Sequence, residues 1–312
     1  MHCRAGDGGL QCKASWLSTV VAQPIAGSHR ACHNPRMSVS LTIGECAHLA
    51  CTLEATASKP GNVTRFRDFD DLTYLDFLLS AAAIAPIIDR TSEIGVGPAV
   101  LQSIAATRRL VKTNTNLGIV LLLTPLAAVP ANRCLRDGID DALDSLTIDD
   151  SRAVYQAIRT ANPSGMGESP EQDLRDEPTL PLRRVMSMAA EHDLIARQYA
   201  NGFREVFEIG VPALAGPFLE LAIVQCHLRL LSSCVDTHIA RRCGPDTAAE
   251  ASRRAGEALA RGPSALADFD AWLRADGHRR NPGSTADLVA ASLYVALREG
   301  MIPIPIRFYP PG

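Results

Sequence analysis

The chain has 312 residues, 46% of them hydrophobic, enough to bury a sizeable core and near the upper limit for one compact domain. Lysine plus arginine total 31 against 34 acidic residues, a net charge of -3. That balance excludes the broad basic field of a nucleic-acid-binding surface, while a polyanionic small molecule could still bind locally.

Residues 1–36 mix Gly, Cys, His and Arg without a period and lack the apolar stretch of a secretory signal. They read as an extension ahead of Met37, expected to have no fixed path and to be dispensable for folding, and residues 37–312 read as a single all-helical catalytic domain. In residues 41–57 the apolar side chains Ile43, Cys46, Ala47, Ala50, Cys51 and Leu53 recur at three- and four-residue spacing, which predicts a core helix. It stops at Ser58-Lys59-Pro60-Gly61, where proline disfavours a helical Lys59 and glycine permits a sharp turn. Three more helices are predicted over 72–88, 98–111 and 117–129, punctuated by Gly95, Gly97, Asn114 and Asn116. The apolar run 119–129 is too short to cross a bilayer and contains Pro125, so it reads as a buried central helix. Helical pattern returns at 150–159, 182–207, 212–231, 247–259, 263–273 and 285–298, and residues 161–181 form the one long connection, a surface loop or lid.

Alternating β-branched runs are nearly absent and aromatic residues make up only 5%, so the expected fold is all-α, a compact multi-helix bundle. Nine cysteines form an odd set with no C-x-x-C pair. This argues against a disulfide framework or zinc ribbon and points to a reducing, cytoplasmic compartment.

The turns between helices carry the chemistry. Glu54 with Lys59-Pro60-Gly61-Asn62, the stretch from Arg65 to Asp71, Lys112 to Gly118, Asp236 to Arg242, and Asn281 to Asp287 each combine Gly, Pro or Asn with charged side chains. Gathered at one end of a bundle, they would make a single polar mouth.

Four of these elements, in order, carry a family resemblance: Glu54-x4-Lys59-Pro60-Gly61, Asn114-Thr115-Asn116-x-Gly118, Asp236-Thr237 running into Arg241-Arg242-x-Gly244, and Asn281-Pro282-Gly283-x2-Ala286-Asp287-Leu288. Together, over residues 41–298, the sequence resembles the triphosphoribosyl-dephospho-CoA synthase family. The resemblance implies an all-α fold, ATP and dephospho-CoA as substrates, magnesium as cofactor, and release of adenine. It also departs from the family. The family's Asn-Thr-His-Lys-Gly turn has Asn116 and Leu117 in place of the imidazole and the ammonium, and Arg67-Asp68-Phe69-Asp70-Asp71 stands where a Gly-x-His is usual. The sequence looks like a divergent branch, similar to those of organisms with archaeal-type one-carbon coenzymes.

Magnesium is held through one or two carboxylates plus substrate phosphates, for which Glu54, Asp71, Asp236 and Asp287 are the candidates. Lys59, Arg65, Arg241 and Arg242 are the candidates to neutralise a triphosphate, with Gly61, Asn114, Asn116, Asn281 and Gly283 of the same turns around the nucleotide. No G-x-x-x-x-G-K-[ST] loop is present, so binding would not be of P-loop type. Breaking a glycosidic C–N bond builds positive charge on the ribose. One carboxylate can stabilise that charge while another takes the proton of the attacking hydroxyl, with Asp71 or Glu54 in one role and Asp236 in the other.

Plainer readings stand beside these. Glu54 at a helix edge is ordinarily a solvated charge, Asp287 with Thr285 fits N-terminal helix capping, and His238 fits a solvated helical histidine. His48, His227 and His278 read as structural. Besides the family's own transferase, the residues allow a related nucleotide-dependent transferase in one-carbon coenzyme biosynthesis, or a noncatalytic helical binding protein. Partners are ATP and dephospho-CoA or a related precursor, with no nucleic acid and no membrane; the oligomeric state stays open, a homodimer included. Glu54, Lys59, Asp71, Asp236 and Asp287 are expected to converge on one pocket. Asp236→Asn is expected to leave the ligand-free stability nearly unchanged.

Overall fold

A computed structural model describes residues 41–163 and 172–309; the N-terminal extension and the middle of the 161–181 connection lie outside the described residues. Among the described residues there are fifteen α-helices and no strand. In chain order they are α1 (Ile43–Thr56), α2 (Tyr74–Ile88), the single turn α3 (Thr91–Ile94), α4 (Val96–Leu110), α5 (Leu117–Ala128), α6 (Leu135–Asp144), α7 (Ile148–Ala161), α8 (Leu182–Ala189) and α9 (Leu194–Asn201). A π-helical turn (Val206–Gly210) follows, then α10 (Val211–Ala213), α11 (Leu219–Ser233), α12 (Thr237–Cys243), α13 (Pro245–Arg261), α14 (Pro263–Arg274) and α15 (Gly283–Arg298).

Local chemistry sets the starts. Thr42 with Glu45, Thr73 with Asp76, and Thr147 with Asp150 form reciprocal capping boxes at α1, α2 and α7, each satisfying otherwise orphaned N–H groups. Packing then selects the centre. From Ile119 to Ala127 every residue of α5 is buried, and so is every residue of α15 from Leu288 to Leu297, as expected for helices apolar all round. α1 packs on α15 and α2, and α5 packs on α15 and α4. A smaller core of Leu228, Leu231, Ile239, Ala251, Ala255 and Leu273 joins α11 to α14. No described helix is long and apolar enough to cross a membrane, and the described cysteines, six in all, are free thiols.

The structure revises four stretches of the sequence reading. The pattern over 182–207 is not one helix: Asp193 caps a new start by accepting from the Ile195 and Ala196 N–H groups, and Gly202 ends α9 with φ 68°. The pattern over 212–231 is interrupted at Gly216-Pro217 before α11 begins. α6 and α12 went unpredicted, the first because charged residues dominate it and the second because it has only seven residues.

Candidate active site

The N-terminal ends of α5, α12 and α15 meet the C-terminal half of α1 and the loop after it. Between them lies a cleft lined by Glu54, Asn62, Asn114, Asn116, Gly118, His238, Asn281, Gly283 and Asp287, with Val63, Leu72 and Phe77 as apolar wall. All four sequence motifs therefore contribute to one place. The cleft encloses ≈ 100 Å³, small beside the ~300–1,000 Å³ of a pocket that engulfs a whole ligand.

Glu54 sits in the last turn of α1, and the following turn brings Lys59 back to it. Lys59 Nζ lies 2.9 Å from Glu54 Oε1 and also donates to the Glu54 carbonyl, with the lysine side chain 0% and the glutamate 3% exposed. The same turn is tied to the turn before α15 by Asn62 Nδ2 donating to Asn281 Oδ1 at 2.7 Å, and Arg274 donates to the Asn62 carbonyl. Asn114 Oδ1 accepts from the Leu117 N–H at the start of α5, while Asn116 Nδ2 donates to Thr107 Oγ1 at 3.0 Å. The Asn62 and Asn116 side-chain oxygens are buried and accept no hydrogen bond.

Asp236, the N-cap of α12, is fully buried. Its Oδ1 accepts from the Ile239 N–H at 3.0 Å, and its Oδ2 accepts from the N–H and the hydroxyl of Thr285, both at 2.8 Å. Burial raises its pKa against the pull of those donors. Asp236 thus joins α12 to α15 and is not held for binding alone, which revises the expectation for Asp236→Asn. Removing charged hydrogen bonds worth about 1.5–3 kcal/mol each makes a clear loss of ligand-free stability the expected result, read as a lower urea midpoint.

Asp287, one turn into α15, is half-buried and accepts no hydrogen bond from the described residues. Its pKa lies well above the usual carboxylate range, first through burial and then through the neighbouring Glu54, Asp236 and Asp193 carboxylates, with Arg241 opposing. The capping reading of Asp287 is not what the structure shows; Asp236 holds the start of α15 instead. Its carboxylate lies against the first turn of α5 at Gly118, where a Cβ would collide with it. Gly118→Ala in an ordinary helix would stabilise by about 1 kcal/mol. Here a loss of melting temperature is expected, and a gain would show that the two groups do not touch.

Other candidates lie outside the cleft. Asp71 is exposed and pairs with His278 Nδ1 at 2.8 Å, next to the lining residue Leu72. Arg65 is bound by Glu220 at 2.7 Å and stacks on Phe66 and Tyr309. Arg241 pairs with Asp193 at 2.7 Å, Arg242 is engaged by His278, and the Gly61 N–H donates to Asp270. None of Lys59, Arg65, Arg241 or Arg242 lines the cleft. His227 is buried, and burial together with Lys59 pushes it down to about 3, in keeping with a structural neutral histidine. His238 is the lining residue that the sequence reading undervalued: burial, then Arg241 and Arg242, push its pKa down to about 3.

Three oxygen sites of the cleft accept no hydrogen bond from the described residues, Asn62 Oδ1, Asn116 Oδ1 and the Asp287 carboxylate, and Glu54 lines the same cleft. Among the described residues no group of three or more His, Cys, Asp or Glu side chains is placed to hold a metal ion; these oxygens are of the type that a hard divalent cation takes together with phosphate and water.

The chain matches the family model for CitG, ATP:dephospho-CoA triphosphoribosyl transferase, over residues 40–303. A solved structure from Archaeoglobus fulgidus, provisionally assigned as a triphosphoribosyl-dephospho-CoA synthase, shares the fold with a TM-score of 0.58 and 27% identity, covering 72% of this chain and 99% of that one. No curated protein sequence matches. The matched span takes in every element that builds the cleft, and the chain belongs to the CitG family of ATP:dephospho-CoA triphosphoribosyl transferases.

Proposed function

We propose that the cleft between α1, α5, α12 and α15 is where this transferase moves the triphosphoribosyl group of ATP to dephospho-CoA and expels adenine. The observation that carries the assignment is the convergence of four motifs, far apart in sequence, on two unlike carboxylates. Glu54 is paired with Lys59, whereas Asp287 has no partner and a raised pKa. Unlike surroundings fit the two acids for separate roles. Asp287 takes the proton of the attacking hydroxyl, and the Glu54 carboxylate faces the positive charge that develops on the ribose as its bond to adenine breaks. The new bond joins the ribose carbon to the acceptor oxygen, and adenine leaves with the bonding pair, protonated from the medium.

Glu54, Asp287 and the two asparagine oxygens would hold magnesium, which when bound offsets the charge of the triphosphate. Asp236 keeps α12 and α15 in register beneath that set, and Asp71 stands at the rim. Free thiols at all described cysteines suit a reducing compartment such as the cytoplasm.

A second reading is favoured by one observation. Asn116 and Leu117, the positions that depart from the family's Asn-Thr-His-Lys-Gly turn, both line the cleft, so the acceptor is the feature most open to change. Purified protein with magnesium, ATP and dephospho-CoA should release adenine and form the coupled product. Adenine release only with another nucleotide-bearing acceptor would establish the second reading, and release with none would overturn the transferase assignment.

A further inference from the structure

A chain of polar side chains runs from the rim into the cleft and has no role in the proposal above. Asp71 Oδ1 lies 2.8 Å from His278 Nδ1, and His278 Nε2 lies 2.8 Å from Arg242 Nη2. Arg242 Nη1 is 3.4 Å from His238 Nε2. The backbone of His238 is fixed by its N–H donating to Ser284 Oγ at 3.1 Å. Its Nδ1 meets no partner among the described residues, and it faces Gly283, where a Cβ would stand 2.9 Å from that nitrogen. Gly283 and His238 both line the cleft, so the missing side chain leaves the approach to Nδ1 open.

Hydrogen-bond accounting fixes the protons along this chain. A guanidinium carries five donors and no acceptor, so each imidazole nitrogen that meets Arg242 must accept with its lone pair. Nε2 is therefore bare in both rings, which leaves Nδ1 as the protonated nitrogen. In His278 that proton is given to Asp71, which anchors the far end. In His238 it points to the cleft.

We propose that Arg242, anchored by the His278–Asp71 pair, holds His238 in its Nδ1–H tautomer and so makes His238 a hydrogen-bond donor to an acceptor atom of the bound nucleotide. Arg242 is then a positioning residue and not a triphosphate ligand. The donor complements the unpartnered oxygens Asn62 Oδ1 and Asn116 Oδ1, because phosphates, ribose and purine nitrogens also need donors. The role of His238 rests on the nucleotide assignment above; its tautomer does not.

Long-range proton–nitrogen correlation spectra of the full chain, labelled at histidine, test the tautomer directly. His238 and His278 should both show a protonated Nδ1 and a bare Nε2, the minority form of free imidazole. In Arg242→Met the His238 signals should shift toward the Nε2–H form; if that variant does not fold, the wild-type spectrum decides alone. A protonated Nε2 on His238 in the wild type would overturn the proposal. Tripolyphosphate and adenosine, added separately, should move the His238 Nδ1–H signal in at least one case, and movement in neither would remove the donor role. In the adenine-release assay His238→Leu should lose roughly 10²-fold in kcat/KM, while His238→Asn, which keeps an N–H near the same place, should retain most of it. Full activity in His238→Leu would also overturn the donor role. The expected spectrum without adenine release from the wild type would count against the reaction and not against the tautomer.

Discussion

Replacing Lys59 with Met is expected to cost about 3–5 kcal/mol of folding stability, the penalty for leaving one charge of a buried pair without its partner. For a domain of this size that is on the order of 10 °C in melting temperature. Both side chains are shut off from water, at 0% and 3% exposure, and Nζ additionally serves the Glu54 carbonyl in the last turn of α1. An exposed pair of the same length would be worth about 1 kcal/mol or less, so the size of the effect discriminates between a sealed and a solvated site. Pairing Lys59→Met with Glu54→Gln removes both charges. The double variant should recover a substantial part of the loss, since neutral groups of similar volume leave no buried charge to desolvate. Stability within 1 kcal/mol of wild type for Lys59→Met alone would place this pair in water and remove the physical distinction between Glu54 and Asp287.

The helices were legible because burial leaves a periodic trace. α5 reads as a continuous apolar run and α1 as a regular stripe, and both sit in the core. Boundaries failed where a single polar residue decides, as at Asp193, whose carboxylate starts α9 after a three-residue break beyond the end of α8. The site was legible as a set of turns, because Gly, Pro and Asn mark where the backbone bends and motif order marks which bends belong together. What no spacing reveals is the partner of each charge. Arg65 meets Glu220 from 155 residues away, and Arg241 meets Asp193 across 48; these pairings remove from the cleft two cations that look available in the sequence. Asp71 and Asp287 both read in the sequence as acids of turns, yet one reaches solvent beside His278 and the other lies in α15, packed against α5. Only tertiary structure separates them.

Asp287→Asn is expected to make the ligand-free protein more stable near pH 8 while lowering transferase activity by roughly 10²–10⁴-fold, the range for loss of a positioned general base. An aspartate in the unfolded chain ionises near 3.9, whereas the folded Asp287 holds its proton to a higher pH because of burial and the three neighbouring carboxylates. Its contribution is therefore fully favourable below the unfolded value and is lost as pH rises through the folded one, since ionising in the cleft then works against folding. Asparagine carries no such charge, so the advantage of the variant should vanish near pH 4 and grow toward pH 8, in contrast to most substitutions of buried polar groups. Magnesium with ATP should raise the melting temperature of the wild type, because a ligand that binds only the folded state stabilises it, and should do so far less in Asp287→Asn. The pattern is that of a group kept at a cost to folding for what it does to a ligand. Melting curves at the two pH values, with and without magnesium and ATP, read both halves. A variant less stable than wild type at pH 8 would show that Asp287 is satisfied in the folded chain, and undiminished adenine release would move the general base elsewhere in the cleft.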